Sequence, residues 1–544
     1  MQQHIHARRP PAAAAAQRAA AVLLLLALPA AALAADAGAW RERVIYQIMI
    51  DRRGAGAAGG CGTLAGAARR FDYLGGLGVD AVWVGPVAAQ CPGERFGATA
   101  YHGYWARDLY QIEPHFGCEE DLSTLVNAAH GAGFLVMLDV AANHMGDCGQ
   151  LNPFSSPSHF HDCSGCDASC SIPSAAFASA DLAVLEHCRL GGLPDLNQSE
   201  PFVRAKLLDW VSSLARRGRI DGLRLDAAAE MPRPFLRALS EAAGVFTLGE
   251  VWFSGLENVG LLASFAGAGG ADSVLSYPLQ GALRAVYGEK ADMRRLLEAR
   301  RAYEAAFPPQ LLPLLGVFIE NHDNPRFLSY QPDAQLYKNA LTYVLLAEGI
   351  PIVYYGSEQG LSGGRQPPGA PSPGDGAYRQ PLWEAGFVTS HPLYRHIGAL
   401  ARHRKEQRLW EHPQIEAHAA PDCHAFLRGR TLVVTTNAGG ASPPLRCSFP
   451  LPPGAPLPFE GRLRNVLDRS AGDAVMDLGS RTVDLQITQG SPLVLAFRPP
   501  PPPRGQPGPE LPAVAGKGPR GRAAAEAAGG LPLAPARRAP QAAV

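Results

Sequence analysis

The chain has 544 residues, enough for one large α/β domain with one or two accessory domains. Its 49 Lys and Arg residues balance 49 Asp and Glu, so nothing in the charge calls for nucleic acid or an anionic membrane as partner. A neutral ligand such as a sugar is compatible with that balance.

In chain order, Met1–Arg18 carries three arginines and no acid, and Ala19–Leu33 is an apolar run ending in the small-x-small pattern Ala32-Leu33-Ala34. Residues 1–34 read as a secretory signal, with the mature chain beginning near Ala35. A plastid transit peptide or a membrane anchor are the alternatives, although the run is short for a spanning helix. No other stretch is apolar enough to cross a membrane. Ten cysteines lack paired zinc spacing; Cys163-x-x-Cys166 followed by Cys170 is the nearest approach. Disulfides in an oxidising compartment are favoured over a metal cluster.

From Val44 onward, short apolar runs alternate with helical segments. Val44–Ile50, Asp80–Val84, Phe134–Asp139, Val317–Glu320 and Ile350–Tyr355 predict strands of a (β/α)₈ barrel. The densest stretch is Arg219–Trp252. IDGLRLD predicts a strand ending on Asp226, PRPFLRALSEAA a helix stopped by Gly244, and VFTLGE a second strand ending on Glu250. Parallel strands joined by a helix end at the same rim, so Asp226 and Glu250 are expected as neighbours there, with Arg224 on the face of Asp226. Two carboxylates so placed are the minimum for cleaving a glycosidic bond. One such pair is more often two ordinary strand-end acids, and further motifs are needed to decide.

Those motifs are AYHGYWARDLYQIEPHFG (100–117), LDVAANHMG (138–146), LPDLN (193–197), DGLRLD (221–226), LGEVW (248–252) and FIENHDNPRF (318–327). In this order they resemble the α-amylases of glycoside hydrolase family 13, the secreted fungal type most of all, from about Val44 to Arg404. The resemblance implies Asp226 as nucleophile, Glu250 as general acid and base, and Asp323 as the carboxylate that stabilises the transition state. Arg224 would hold Asp226 ionised and aimed. Tyr104, Trp105, His144 and His322 would line the subsite where the bond breaks, and Asp375 and Arg379 would hold sugars on the non-reducing side. An insertion, PPGAPSPG, precedes that last pair.

The resemblance also implies a calcium ion held by Asn143 and Asp195, with main-chain carbonyls from Glu186 and Glu230. Asp195 as the cap of a helix starting near Glu200 is the alternative. Asn197-Gln198-Ser199 is a glycosylation sequon. Two departures stand out. LPDLN has Asn197 where the fungal enzymes have a second Asp. Ala229-Glu230 replaces their Lys-His pair, which implies a weakened subsite on the leaving-group side with calcium binding kept.

The expected organisation is a signal (1–34), a barrel in two parts (35–143 and 197–404), a loop-rich B domain after strand 3 (144–196), a C-terminal antiparallel β-sandwich (405–498) and a disordered Pro/Gly/Ala-rich tail (499–544). Cys188 is expected to pair with Cys163, Cys166 or Cys170, and Cys423 with Cys447. The implied function is retaining endo-hydrolysis of α-1,4-glucosidic bonds by a secreted monomer acting on α-glucans. An exo-acting α-glucosidase or transglycosylase on the same scaffold is the runner-up, and a barrel without catalysis, used for binding, is the rival of a different class.

Overall fold

The computed structural model describes residues 36–52, 63–363, 377–468, 470 and 473–497. The expected leader, the expected tail and Asp375 lie outside these residues.

Eight parallel strands form the barrel: β1 (Ile45–Ile48), β2 (Ala81–Val84), β3 (Leu135–Ala141), β4 (Gly222–Asp226), β5 (Phe246–Gly249), β6 (Ser273–Val274), β7 (Gly316–Val317) and β8 (Ile350–Tyr354). They pair in the order β6-β5-β4-β3-β2-β1-β8-β7. The circle closes where Ser276 donates its N–H to the carbonyl of Gly316 at 2.9 Å. Strands covered on both faces must be apolar on both faces. Accordingly Ile45, Trp83, Met137, Leu248 and Ile352 fill the interior, while Tyr46, Val82, Val136, Leu223 and Leu225 pack outward against the helices.

The register positions the site. Asp139 on β3 lies opposite Arg224 on β4, and Ala141 opposite Asp226. Helix α1 (Pro201–Gly218) precedes β4 and is capped by Glu200, whose carboxylate accepts the Val203 N–H at 2.8 Å. Asp195 is therefore not its cap. Helix α2 (Arg233–Ala243) joins β4 to β5 and ends at Gly244 with φ 65°, the left-handed stop a glycine makes without cost. Two strands differ from expectation. The seventh starts at Gly316 and keeps only two residues, because the chain leaves the ladder before Asn321. The sixth was not legible, since two residues carry no periodicity.

Between β3 and α1 the chain makes short turns and helices, held by Cys163–Cys170 and Cys166–Cys188 and tied to the segment between β2 and β3 by Cys91–Cys148. Cys188 thus takes Cys166, and a metal cluster on Cys163, Cys166 and Cys170 is excluded because all three are oxidised. Backbone bridges His144–Asp195 and Phe160–Leu196 bring the two ends of this excursion together.

The C-terminal part is an antiparallel sheet of eight strands: β9 (Gln414–Ala419), β10 (Cys423–Arg428), β11 (Thr431–Thr436), β12 (Leu445–Pro450), β13 (Arg462–Asn465), β14 (Ala474–Asp477), β15 (Thr482–Ile487) and β16 (Leu493–Phe497). It encloses its own core, including Leu427, Leu463, Val483 and Leu495, and the Cys423–Cys447 bridge. Among the described residues no helix is long and apolar enough to cross a membrane.

Candidate active site

A cleft of about 830 Å³ opens at the C-terminal rim of the barrel. Asp226, Glu250, Asp323, Tyr104, Trp105, His144, His322 and Arg379 all line it, so these eight expected site residues converge.

Its floor is organised by Arg224, whose side chain is fully buried. One terminal nitrogen, Nη1, meets Asp226 Oδ1 at 2.6 Å and Asp139 Oδ1 at 2.9 Å. The other, Nη2, lies 2.7 Å from Glu250 Oε1. A guanidinium buried among carboxylates holds them in a fixed fork that lysine could not reproduce. The β3–β4 register places Asp139 directly against Arg224, and it gathers further donors. Trp83 Nε1 and the Tyr104 hydroxyl reach Asp139 Oδ2 at 3.0 and 2.8 Å.

Glu250 is held from two more directions. Its Oε1 accepts the Tyr277 hydroxyl at 2.9 Å and its Oε2 the Ala227 N–H at 3.2 Å. Across the cleft, Asp323 binds Arg379 Nη2 at 2.9 Å and His322 Nε2 at 3.0 Å. His322 is in turn fixed by Gln47 at 2.7 Å and by its stack on the Tyr104 ring, 5.3 Å away and nearly parallel. The sequence reading assigned no role to Asp139, Tyr277, Gln47 or His102. Asp139 was visible as a strand-end acid; the other three carry no local signal.

The charges are unequal. Burial pushes Asp226 well above the usual carboxylate range; Arg224 opposes this, while Glu250, Asp139 and Asp323 add to it. Asp323 goes the other way: burial alone would raise it, but His322 and Arg379 hold it well below the usual range. The floor thus has more acid than Arg224 can balance, and Asp226 is the carboxyl that this imbalance raises. Burial lowers His102 to about 3 and His144 to about 4, so both are neutral imidazoles at neutral pH.

Asn143 and Asp195 lie together beside this floor. Asn143 Nδ2 donates to Asp195 Oδ1 at 3.0 Å, and His161 meets Asp195 Oδ2 at 2.6 Å. Asn143 Oδ1 and Gln198 Oε1 are buried without a partner. Unpaired oxygens beside a buried carboxylate are costly unless something positive meets them, and an all-oxygen set suits a hard cation. The short helix Leu182–Leu185, just before Glu186, packs against the turn Ala228–Glu230. The Glu230 side chain faces the cleft, where burial and the charge of Glu250 push it up to about 8. Ala229 is only 2 % exposed and belongs to the apolar core rather than the cleft wall. Trp252 does line the cleft, a role the LGEVW motif did not disclose.

The model of the alpha-amylase catalytic domain matches residues 47–161 and 183–414. "Alpha-amylase 2" of Schwanniomyces occidentalis is 34 % identical over 394 residues, covering 68 % of this chain and 73 % of that protein. "Alpha-amylase mde5" of Schizosaccharomyces pombe is 31 % identical over 434 residues, covering 75 % and 78 %. The solved alpha-amylase of Malbranchea cinnamomea superposes with a TM-score of 0.75 at 30 % identity, covering 85 % of this chain and 98 % of that one. The chain belongs to the alpha-amylase family of glycoside hydrolases.

Proposed function

We propose that the chain hydrolyses internal α-1,4-glucosidic bonds of starch- or glycogen-type glucans with retention of configuration. The observation that carries this is the single buried guanidinium of Arg224 that holds Asp226 and Glu250 together at the cleft floor. One fork keeps the two carboxyls close, which favours the ~5–5.5 Å spacing of a retaining pair over the ~6.5–9.5 Å of an inverting one.

Asp226, aimed by Arg224, attacks the anomeric carbon, and Glu250 gives its proton to the departing glycosidic oxygen. The covalent glycosyl-enzyme is then opened by water, with Glu250 taking the water proton back. Asp323, kept ionised by His322 and Arg379, offers negative charge to sugar hydroxyls and to the oxocarbenium-like transition state. Neutral His102 and His144 suit an uncharged sugar at the subsite where the bond breaks. A calcium ion, if bound, would take the Asn143 and Asp195 side chains with carbonyls of Glu186 and Glu230. There it would supply structural cross-linking of residues 144–196 to the barrel.

Three disulfides in and around residues 144–196 support action outside the reducing cytosol, as does the signal-like residues 1–34. The test is product analysis on soluble starch with the purified protein. Iodine staining should fall faster than reducing ends appear, and the first products should be α-anomers by NMR. β-Anomers would overturn retention, and release of glucose alone would overturn endo action.

A further inference from the structure

Asp323 is gripped by a residue far along the chain. Arg379 donates from Nη2 to Asp323 Oδ1 and from Nε to the His322 carbonyl, each at 2.9 Å. Such aim needs a fixed backbone, yet Arg379 belongs to no strand or helix. Side chains supply what no ladder does. The Tyr378 carbonyl accepts Arg326 Nε at 3.1 Å and the Tyr354 hydroxyl at 3.2 Å. Gln380 Oε1 accepts the Gly363 N–H at 2.9 Å. A Cβ at Gly363, whose φ is 78°, would lie 2.7 Å from the Ala377 carbonyl oxygen, so the chain runs close there as well.

Arg326 is an unusual anchor. It is fully buried, with its guanidinium over the rings of Tyr354 and Tyr355 at 4.4 and 5.1 Å from their centroids. Nη1 is 3.6 Å from Glu320 Oε1. Neither terminal nitrogen makes a hydrogen bond among the described residues, whereas Nε makes one, to the Tyr378 carbonyl. A buried guanidinium is costly, and ring faces with one loosely placed carboxylate offset only part of that. An apolar side chain would pack between the rings without the cost, but it could not hold a carbonyl. Arg326 also follows Asp323 by three residues. The stretch after β7 thus receives Arg379 at one end and sends Arg326 back to the neighbouring carbonyl at the other. Tyr354, the last residue of β8, adds a donor fixed in the barrel wall.

We propose that Arg326 and the Tyr354 hydroxyl are positioning residues for Asp323, acting through the Tyr378 carbonyl and the Arg379 guanidinium. This rests on the reading of Asp323 as the carboxylate that stabilises the transition state. Without the anchor the backbone at 378–379 can shift, and Arg379 no longer fixes Asp323 Oδ1. His322 alone then holds the carboxylate, which is free to turn, and small displacements in a site of this kind are felt in the rate.

The experiment is a double-mutant cycle on soluble starch. Tyr354→Phe removes one hydroxyl and should lower kcat about fivefold, and Arg326→Met about tenfold or more, with KM within about twofold of the parent. Arg379→Met should lower kcat at least as far. Adding Tyr354→Phe or Arg326→Met to Arg379→Met should then change kcat by less than about twofold, because both act through that guanidinium. A merely structural role would lower the melting temperature and multiply its loss in the double variant. Multiplying losses, or parental kcat in Tyr354→Phe, would overturn the proposal, and Tyr354→Phe decides alone where Arg326→Met does not fold. Near-parental kcat in Asp323→Asn would remove the reading of Asp323 itself. An inactive Asp323→Asn beside a fully active Tyr354→Phe would remove the anchor only.

Discussion

At the residue scale the site is two buried guanidiniums, Arg224 and Arg379, among several acids, and its chemistry depends on which acid keeps a proton. Asp226→Asn and Glu250→Gln should each abolish starch hydrolysis with the fold intact, the loss of the acid alone costing ~10²–10⁴ in rate. Turnover close to normal in either variant, with an unchanged circular dichroism spectrum, would refute the assignment. Arg224→Lys is the sharper probe of the fork. A lysine ammonium is a point charge and cannot hold Asp139, Asp226 and Glu250 in one plane. Leaving buried carboxylates poorly paired should cost ~3–5 kcal/mol of stability. Thermal unfolding and kcat should therefore fall together in that variant, whereas Asp226→Asn should affect kcat alone.

At the scale of elements, the segment between β3 and α1 contributes few backbone ladders and relies on cross-links. Cys163–Cys170 and Cys166–Cys188 close loops within it, and it is attached to the rest of the barrel through Cys91–Cys148 and through His144, Asp195 and Asn143. If calcium fills the unpaired oxygens there, it binds only the folded form, and removing it shifts the folding equilibrium by mass action. Chelation should then lower melting temperature and activity together, and Asn143→Ala should abolish the response of melting to added calcium. A melting temperature indifferent to both chelator and calcium would show that the unpaired oxygens are met by water instead. The short β6 and β7 make a related point. They close the barrel with two residues each, so the backbone bond from Ser276 to Gly316 at that seam is supplemented by side chains such as Ser273, whose hydroxyl donates to the Leu314 carbonyl at 2.8 Å.

For the whole molecule, acid stability should be limited by buried histidines, two of which lie far from the cleft. Helix α3 (Ala334–Leu346) packs on helix α4 (Pro392–Glu406), and β11 lies over its end. On α4, burial lowers His396 and His403 to about 4 each, against ~6.5 in an unfolded chain. His396 Nε2 lies 3.1 Å from both the Lys338 carbonyl and the Thr342 hydroxyl, and His403 Nε2 lies 2.9 Å from the Thr431 hydroxyl on β11. The sign follows from proton counting. Below ~6.5 the unfolded chain takes up protons that the folded protein refuses, so stability falls as pH drops, by up to ~1.4 kcal/mol per pH unit for each histidine. The loss should level off near pH 4, where the folded protein accepts the protons too. His396→Gln should flatten the fall of melting temperature between pH 6.5 and 4, relative to its own value at pH 7. An identical slope would place the acid sensitivity elsewhere.

How much of this was legible beforehand follows from the range of the forces involved. The strands ending on Asp139, Asp226 and Glu250 and the helix stopped at Gly244 are written locally, because apolar runs, periodicity and a left-handed stop act over a few residues. The ordered motifs then carried the family and the barrel, with Asp226, Glu250, Asp323 and Arg224 already named. Other features depended on groups far apart in the chain. Tyr277 reaches Glu250, Gln47 reaches His322 and Asp139 reaches Arg224 only after the barrel closes. The choice of Cys166 for Cys188 depended on how the turns between them pack, and the two-residue β6 is defined only by its pairing with β5. The exposure of Trp252 is of the same kind. Whether an indole faces core or cleft is decided by what covers it, and Tyr277 covers only one side.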